Sequence, residues 1–265
     1  MLKYLIIPDV HGRTFWKDPV NSLLSLDTDA KIIFLGDYHD PYFQEFNNDD
    51  YLSKSLDNFK EILSLKQKNP KRITLLLGNH DCGYAISEDI CSSRMDRQHR
   101  RELEKLFRQN RELFCLAEEC DIAGKHFIFS HAGILKEWAG LFFGTSMVQK
   151  PNFNVVDRLN NAWLAEDQSI LDTLGVYDYY RGYCGAMYGS PVWSDIRTWV
   201  NKKPEDTFGF NIVGHTQGDV PIILDTIADL DCRRAFLLDD KGRILDYETK
   251  EEVKKMGLPS EYITW

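Results

Sequence analysis

Several features are scarce in this 265-residue sequence, and each scarcity excludes a class of protein. With 17 glycines and 9 prolines, it is neither collagen-like nor low in complexity. Basic residues are outnumbered, 32 against 41 acids, for a net charge of −9. A broad basic footprint for duplex nucleic acid is therefore not expected. A phosphorylated ligand stays open, because a bound cation can reverse the sign of a pocket. The six cysteines form no Cys-x-x-Cys pair, so a cysteine zinc site has no support. A disulfide framework is not expected at this length. Long apolar runs are missing too. Tyr4–Ile7 stops at Pro8, too short for a signal-peptide core or a membrane span. These absences point to a reducing cytoplasm and to no membrane partner.

What is present is enough to build a core, since 43% of the residues are hydrophobic. Leu2–Ile7, Lys31–Leu35 and Arg72–Leu77 read as short buried strands. Between the second and third, Asp50–Lys68 carries apolar residues at helical spacing and ends at Asn69-Pro70. Arg97–Phe114 reads as a charged amphipathic helix. This alternation argues for β-α-β units and a partly parallel sheet. Farther on, Cys120–Ile122 and His126–Ser130 read as a hairpin around Gly124. Phe210–Val213, Ile222–Asp225, Arg234–Leu238 and Arg243–Tyr247 follow as short strands. The last two are joined by the turn Asp239-Asp240-Lys241-Gly242. No linker or repeat divides the chain. It reads as one domain over 1–248, with 134–199 as an aromatic-rich cap or substrate-site insertion and 249–265 as a C-terminal tail.

Five of these strands end alike. They are followed by Asp9-Val10-His11-Gly12, Gly36-Asp37-Tyr38-His39-Asp40, Gly78-Asn79-His80-Asp81, His131-Ala132-Gly133 and Gly214-His215-Thr216. Strand C-terminal ends are where α/β sheets bind ligands. One Asp-x-His is weak evidence, and one histidine after a strand is more often structural. Five such ends, each rich in Asp, Asn or His and each beside glycine, are not a coincidence of turns. Mixed oxygen and imidazole donors without thiolate suit manganese, iron or zinc rather than a structural zinc clip. Six donors, one of them a carboxylate able to bridge, fit two ions. Such a pair can hold both the attacking and the leaving oxygen of an in-line displacement at phosphorus.

These blocks resemble the signature motifs of the calcineurin-like metallophosphoesterases, from Asp9 to His215. In detail they are most similar to the phosphoprotein (Ser/Thr) phosphatase branch. Its Gly-Asp-x-x-Asp-Arg-Gly, Gly-Asn-His-Glu and Trp-Ser-Asp patterns correspond here to Gly36–Asp40, Gly78–Asp81 and Trp193–Asp195. The resemblance implies an α/β fold, a two-sheet mixed β sandwich flanked by helices (αββα). It implies that Asp9 and His11 bind a first metal, that Asp37 bridges, and that Asn79, His131 and His215 bind a second. Manganese is the first expectation. His80 would be the general acid, oriented by Asp40.

The chain departs from that pattern at Pro41 and Tyr42, which stand where the family has Arg and Gly. A phosphate-clamping guanidinium is gone, and Arg13, Arg181 and Arg197 are the candidates to supply it. Asp81 is a shorter carboxylate than the family's Glu. The last block has no second histidine after His215. Cys82 reads as a small buried residue. His39 reads as pocket lining or exposed, and His99 and His126 as solvated. Tyr177–Tyr188 reads as a pocket rim for an aromatic leaving group or base, or else as the packing of an irregular loop.

The expected function is hydrolysis of phosphate monoesters by attack of a metal-bridging hydroxide. The partner would be a phosphorylated protein, nucleotide or small molecule. The alternatives are a dinucleoside-polyphosphate hydrolase or phosphodiesterase on the same core, and an inactive metal-bound scaffold. A retained His80–Asp40 pair speaks against the scaffold.

Overall fold

The computed structural model describes residues 1–26, 28–46, 49–87, 90, 94–181 and 187–258. Two sheets face each other. The first has strand order β11-β10-β1-β2-β3-β4, with β1 (Leu2–Ile7), β2 (Lys31–Phe34), β3 (Ile73–Leu76), β4 (Phe114–Cys115), β10 (Phe236–Asp239) and β11 (Ile244–Asp246). The second has order β5-β6-β7-β9-β8, with β5 (Ala117–Ile122), β6 (Lys125–Ser130), β7 (Phe210–Val213), β8 (Ile222–Ile223) and β9 (Ile227–Asp229). β1 through β4 pair in parallel, and so do β6, β7 and β9.

The alternation of side chains along each strand assigns the two faces. Tyr4, Ile6, Ile33, Leu35 and Leu76 meet Phe127, Phe129, Ile212 and Phe236 in a core between the sheets. Leu5, Ile7, Ile32, Phe34, Ile73 and Leu75 point the other way, into the core that the helices cover. Strands buried on both faces read as unbroken apolar runs, as these do.

On the outer face of the first sheet lie α1 (Lys17–Leu24), α2 (Tyr51–Lys68) and α4 (Arg100–Gln109). α2 contributes Leu56, Phe59, Ile62 and Leu63, a helical stripe of apolar side chains. The helix Val155–Ala165 packs beside the second sheet. Its Asn160 accepts hydrogen bonds from Leu116 and Ala117 N–H (2.9 and 3.2 Å) and returns one to the Ala117 carbonyl at 2.9 Å. Segment 134–199 is thus tied to the sheet by backbone-directed bonds. Among the described residues, no helix is long and apolar enough to cross a membrane.

Some elements differ from the sequence expectation. The helix expected over Arg97–Phe114 is shorter, at Arg100–Gln109. Asn110 ends it by donating its side-chain amide to the Leu106 carbonyl at 2.8 Å. Phe114 then turns into the aromatic cluster of Tyr38, Phe59 and Phe107 and becomes edge strand β4. The strand expected over Ile222–Asp225 spans two residues, and a tight turn leads into β9, which the sequence did not reveal. Helices α1 and α3 (Asn79–Ala85) were likewise unexpected. Beyond β11 the chain stays attached, with Val253 N–H bonded to the Ile244 carbonyl at 2.8 Å and Met256 N–H to that of Ile223 at 3.2 Å.

Candidate dinuclear metal site

All five motif-bearing strand ends meet at one edge of the sandwich. Each turn leaves its strand abruptly. His11, Asp37, Asp40 and His215 adopt left-handed backbone conformations, with φ of 43°, 53°, 56° and 77°. Non-glycine residues rarely do so, and such strain gathers at functional sites. Two glycines let backbone press against carboxylates. A Cβ on Gly78 would stand 2.1 Å from Asp37 Oδ1, and one on Gly214 would stand 1.9 Å from Asp9 Oδ1. Both are impossible contacts, so these positions need glycine.

Asp37 lies at the centre. Its Oδ2 is 3.5 Å from His11 Nε2 and 3.5 Å from His131 Nε2. On one side, the Asp9 carboxylate accepts the His215 N–H (3.0 and 3.1 Å). On the other, His131 Nε2, His215 Nδ1 and Asn79 Oδ1 lie within 2.9–3.1 Å of one another. All six side chains are buried. Two overlapping groups have donor atoms within 4.8 Å of each other. They are His11, Asp37 and His80, and Asp9, Asp37 and His131, with Asp37 common to both.

The imidazoles are held in one tautomer. His11 Nδ1 donates to the His39 carbonyl at 2.9 Å, and His131 Nδ1 to the Leu35 carbonyl at 2.8 Å. Each ring therefore turns a bare Nε2 inward, the usual way a protein orients a metal-binding histidine. His131 Nε2 then faces Asn79 Oδ1 lone pair to lone pair, a contact that an intervening cation would relieve. Burial, reinforced by cationic neighbours, holds His11 and His215 well below the ordinary imidazole range, so both stay neutral. Burial, and after it Asp9, pushes Asp37 up to about 7. Uncharged imidazoles and a carboxylate reluctant to ionise mark a place that positive charge would stabilise.

His80 stands beside this cluster. Its N–H donates to Asp37 Oδ1 (3.0 Å), and its Nδ1 lies 2.7 Å from Asp40 Oδ2. The other oxygen of Asp40 accepts the Tyr84 hydroxyl and the Asp96 N–H (3.1 Å). Burial and Asp40 hold the Tyr84 hydroxyl well above its ordinary range, so it remains a donor. Asp81, first residue after His80, accepts N–H bonds from Asp37 (2.6 Å), Gly78 (2.8 Å) and Tyr38 (3.1 Å). This shorter carboxylate thereby clamps the Asp37 turn to the start of α3.

The sequence profile of the calcineurin-like phosphoesterases matches residues 2–219. The chain belongs to that family. No curated protein matches it significantly. Among solved structures, a cold-active protein tyrosine phosphatase is similar, with a TM-score of 0.60, 16% identity, and coverage of 96% of this chain and 79% of that one. A protein serine/threonine phosphatase from Saccharomyces cerevisiae, similar to human phosphatase PP5, aligns with a TM-score of 0.47, 15% identity and coverage of 97% and 81%. The first of these likenesses shows the shared fold.

In this calcineurin-like phosphoesterase the donor set, all oxygen and imidazole, fits a pair of divalent cations. The arginines are placed as follows. Arg13 makes a two-pronged pair with Glu45, with Nε–Oε2 at 2.6 Å and Nη2–Oε1 at 3.0 Å. Arg181 and Arg197 both reach Asp195, each at 2.7 Å, and Arg181 also donates to Thr216 at 2.8 Å. Trp193, of the Trp-Ser-Asp block, sets its ring edge-on to His215 at 5.5 Å. His39 is neither exposed nor lining. It is buried between Ser55 Oγ and Asp96 Oδ2, both at 2.9 Å. His99 is not free in solvent but shares Asp96 at 2.8 Å, and His126 pairs with Asp121 at 2.9 Å. Cys82 is buried, as expected. Of the segment 177–188, residues 182–186 lie outside the described residues.

Four further groups were not visible in the sequence. Tyr84 sits four residues after His80 on α3, a spacing that has meaning only once 79–85 is known to be helical. Arg94 brings Nη2 to 3.3 Å from His80 Nε2 with its guanidinium 3.5 Å from the Tyr42 ring centre. Asp229 and Asp231 are buried carboxylates at and after β9, where burial pushes both well above the usual range.

Proposed function

We propose that this chain is a two-metal phosphatase that hydrolyses phosphate monoesters, with Asp9, His11, Asp37, Asn79, His131 and His215 as ligands. The observation that carries the reading is His80. It is fixed by Asp40 directly beside the donor cluster, within 4.8 Å of donor atoms on His11 and Asp37. When bound, a pair of divalent cations polarises the phosphoryl oxygens and lowers the pKa of water beside the phosphorus.

The protein's own residues do the rest. The Asp37 carboxylate draws both halves of the donor set together. Tyr84 and the Asp96 N–H hold Asp40, and Asp40 fixes the proton on His80 Nδ1. That leaves Nε2 as the position from which a proton passes to the departing oxygen. Asp40 then stabilises the imidazolium that protonation requires. The guanidinium of Arg94 beside His80 suits the dianionic phosphoryl group of a monoester better than the single charge of a diester. Manganese is the cation we favour for this mixed set of carboxylate, amide and imidazole donors.

The test compares leaving groups. An alkoxide such as that of phosphoserine needs a proton in the transition state, whereas a nitrophenolate needs it far less. His80→Asn should lower phosphoserine hydrolysis by about 10²–10⁴-fold and spare nitrophenyl phosphate, with both metals retained. Equal losses on the two esters, in a regime limited by chemistry, would assign His80 to the metals or the phosphate instead.

A further inference from the structure

We infer that Arg94 is the substrate-binding arginine of this site, held over the phosphoryl position by the Tyr42 ring. The inference rests on the phosphatase reading above and deepens it. Arg94 lies outside the strand-end motifs, in the segment between α3 and α4, and its Nη2 comes to 3.3 Å from His80 Nε2. Its guanidinium stacks 3.5 Å from the centre of the Tyr42 ring. Tyr42 in turn stands edge-on to His11, with ring centres 5.1 Å apart. The stack therefore lies against both His11 and His80, whose rings meet edge-on with centres 4.9 Å apart.

The other arginines near the site are directed at carboxylates. Arg13 is bonded through two nitrogens to Glu45, and Arg181 and Arg197 converge on Asp195. Arg94 reaches the imidazole of His80 itself, beside the donor cluster. In this contact the guanidinium is the donor. A phosphate oxygen arriving beside it would accept charge-assisted, two-pronged bonds from the same planar group. Tyr42 orients the planar guanidinium, so that less freedom is lost when the anion is bound. Pro41 and Tyr42, which replace Arg and Gly of the family pattern, fit this arrangement. The charge comes from a different segment, and the aromatic ring that supports it occupies the place of a glycine.

The experiment is calorimetric binding of inorganic phosphate to the manganese-loaded chain, with metal content measured in parallel. Arg94→Ala should weaken phosphate binding about 10- to 150-fold with both metals retained. Arg94→Lys should recover part of the loss, since it restores charge without the fork. Tyr42→Leu should weaken binding about 3- to 30-fold in the parent and add little to Arg94→Ala, because both act through one contact. Unchanged phosphate binding by Arg94→Ala would overturn the assignment. So would loss of manganese from that variant, which would give the side chain a role in holding the donors. Failure of the parent to hydrolyse any phosphate ester would instead overturn the phosphatase reading and leave the binding comparison to be judged alone.

Discussion

The two flanks of the site are constructed differently. On the donor side, Asp9, Asp37, Asn79, His131 and His215 each stand within three residues of the end of a strand in the two sheets, and His11 stands four residues past one. Backbone ladders set their positions, and carbonyls such as those of Leu35 and His39 set their tautomers. On the His80 side, Asp40, Tyr42, Tyr84, Arg94 and Asp96 come from turns and from α3, and most of the contacts that hold them are between side chains. Donor positions are therefore set by the sandwich, while the orientation of His80 depends on a relay of hydrogen bonds. Damage to the first flank should abolish the site. Damage to the second should grade its performance.

The largest effect is expected at the shared carboxylate. Asp37→Asn replaces the one charge that faces both donor groups, so bound metal should fall below two equivalents and turnover by roughly 10³-fold or more. A variant with two metals and near-normal turnover would erase the distinction between the flanks. Next comes the response of metal binding to acid. Because the buried Asp37 carboxyl sits at about 7 without a cation, a metal entering below that pH must displace a proton. Affinity for manganese should then fall about tenfold per pH unit below 7 and level off above it, read by titration at several pH values. A flat profile from pH 5 to 8 would mean that the Asp37 proton is not linked to the metal. The smallest effect belongs to the relay. Tyr84→Phe removes one donor from Asp40 and should slow phosphoserine hydrolysis about 3- to 10-fold, leaving metal content and nitrophenyl phosphate hydrolysis almost unchanged. An equal loss on both esters would place Tyr84 on the donor side.

The same contrast explains how far the site could be read from sequence. The candidate donors stood out because they lie one to four residues past the end of an apolar run, and five such runs repeat one pattern. The sheets were legible for the same reason, since strands buried on both faces are written as Leu-Ile-Ile and Ile-Ile-Phe-Leu. Tyr84 and Arg94 were not legible, because contact with His80 and Tyr42 depends on how α3 and the segment after it fold back. His39 misled for a related reason. Its place inside a motif says nothing of Ser55 and Asp96, which arrive from α2 and from the segment before α4 to bury it. β9 was hidden because three residues between a turn and the Leu230–Asp231 bend carry too little pattern to be read as a strand.

The central claim is that Asp37 is shared by two cations held by the donor flank. Anomalous difference density from manganese-loaded crystals tests it most directly. We predict two peaks, both touching Asp37, one beside Asp9 and His11 and the other beside Asn79, His131 and His215. One peak alone, or a pair that does not share Asp37, would contradict it.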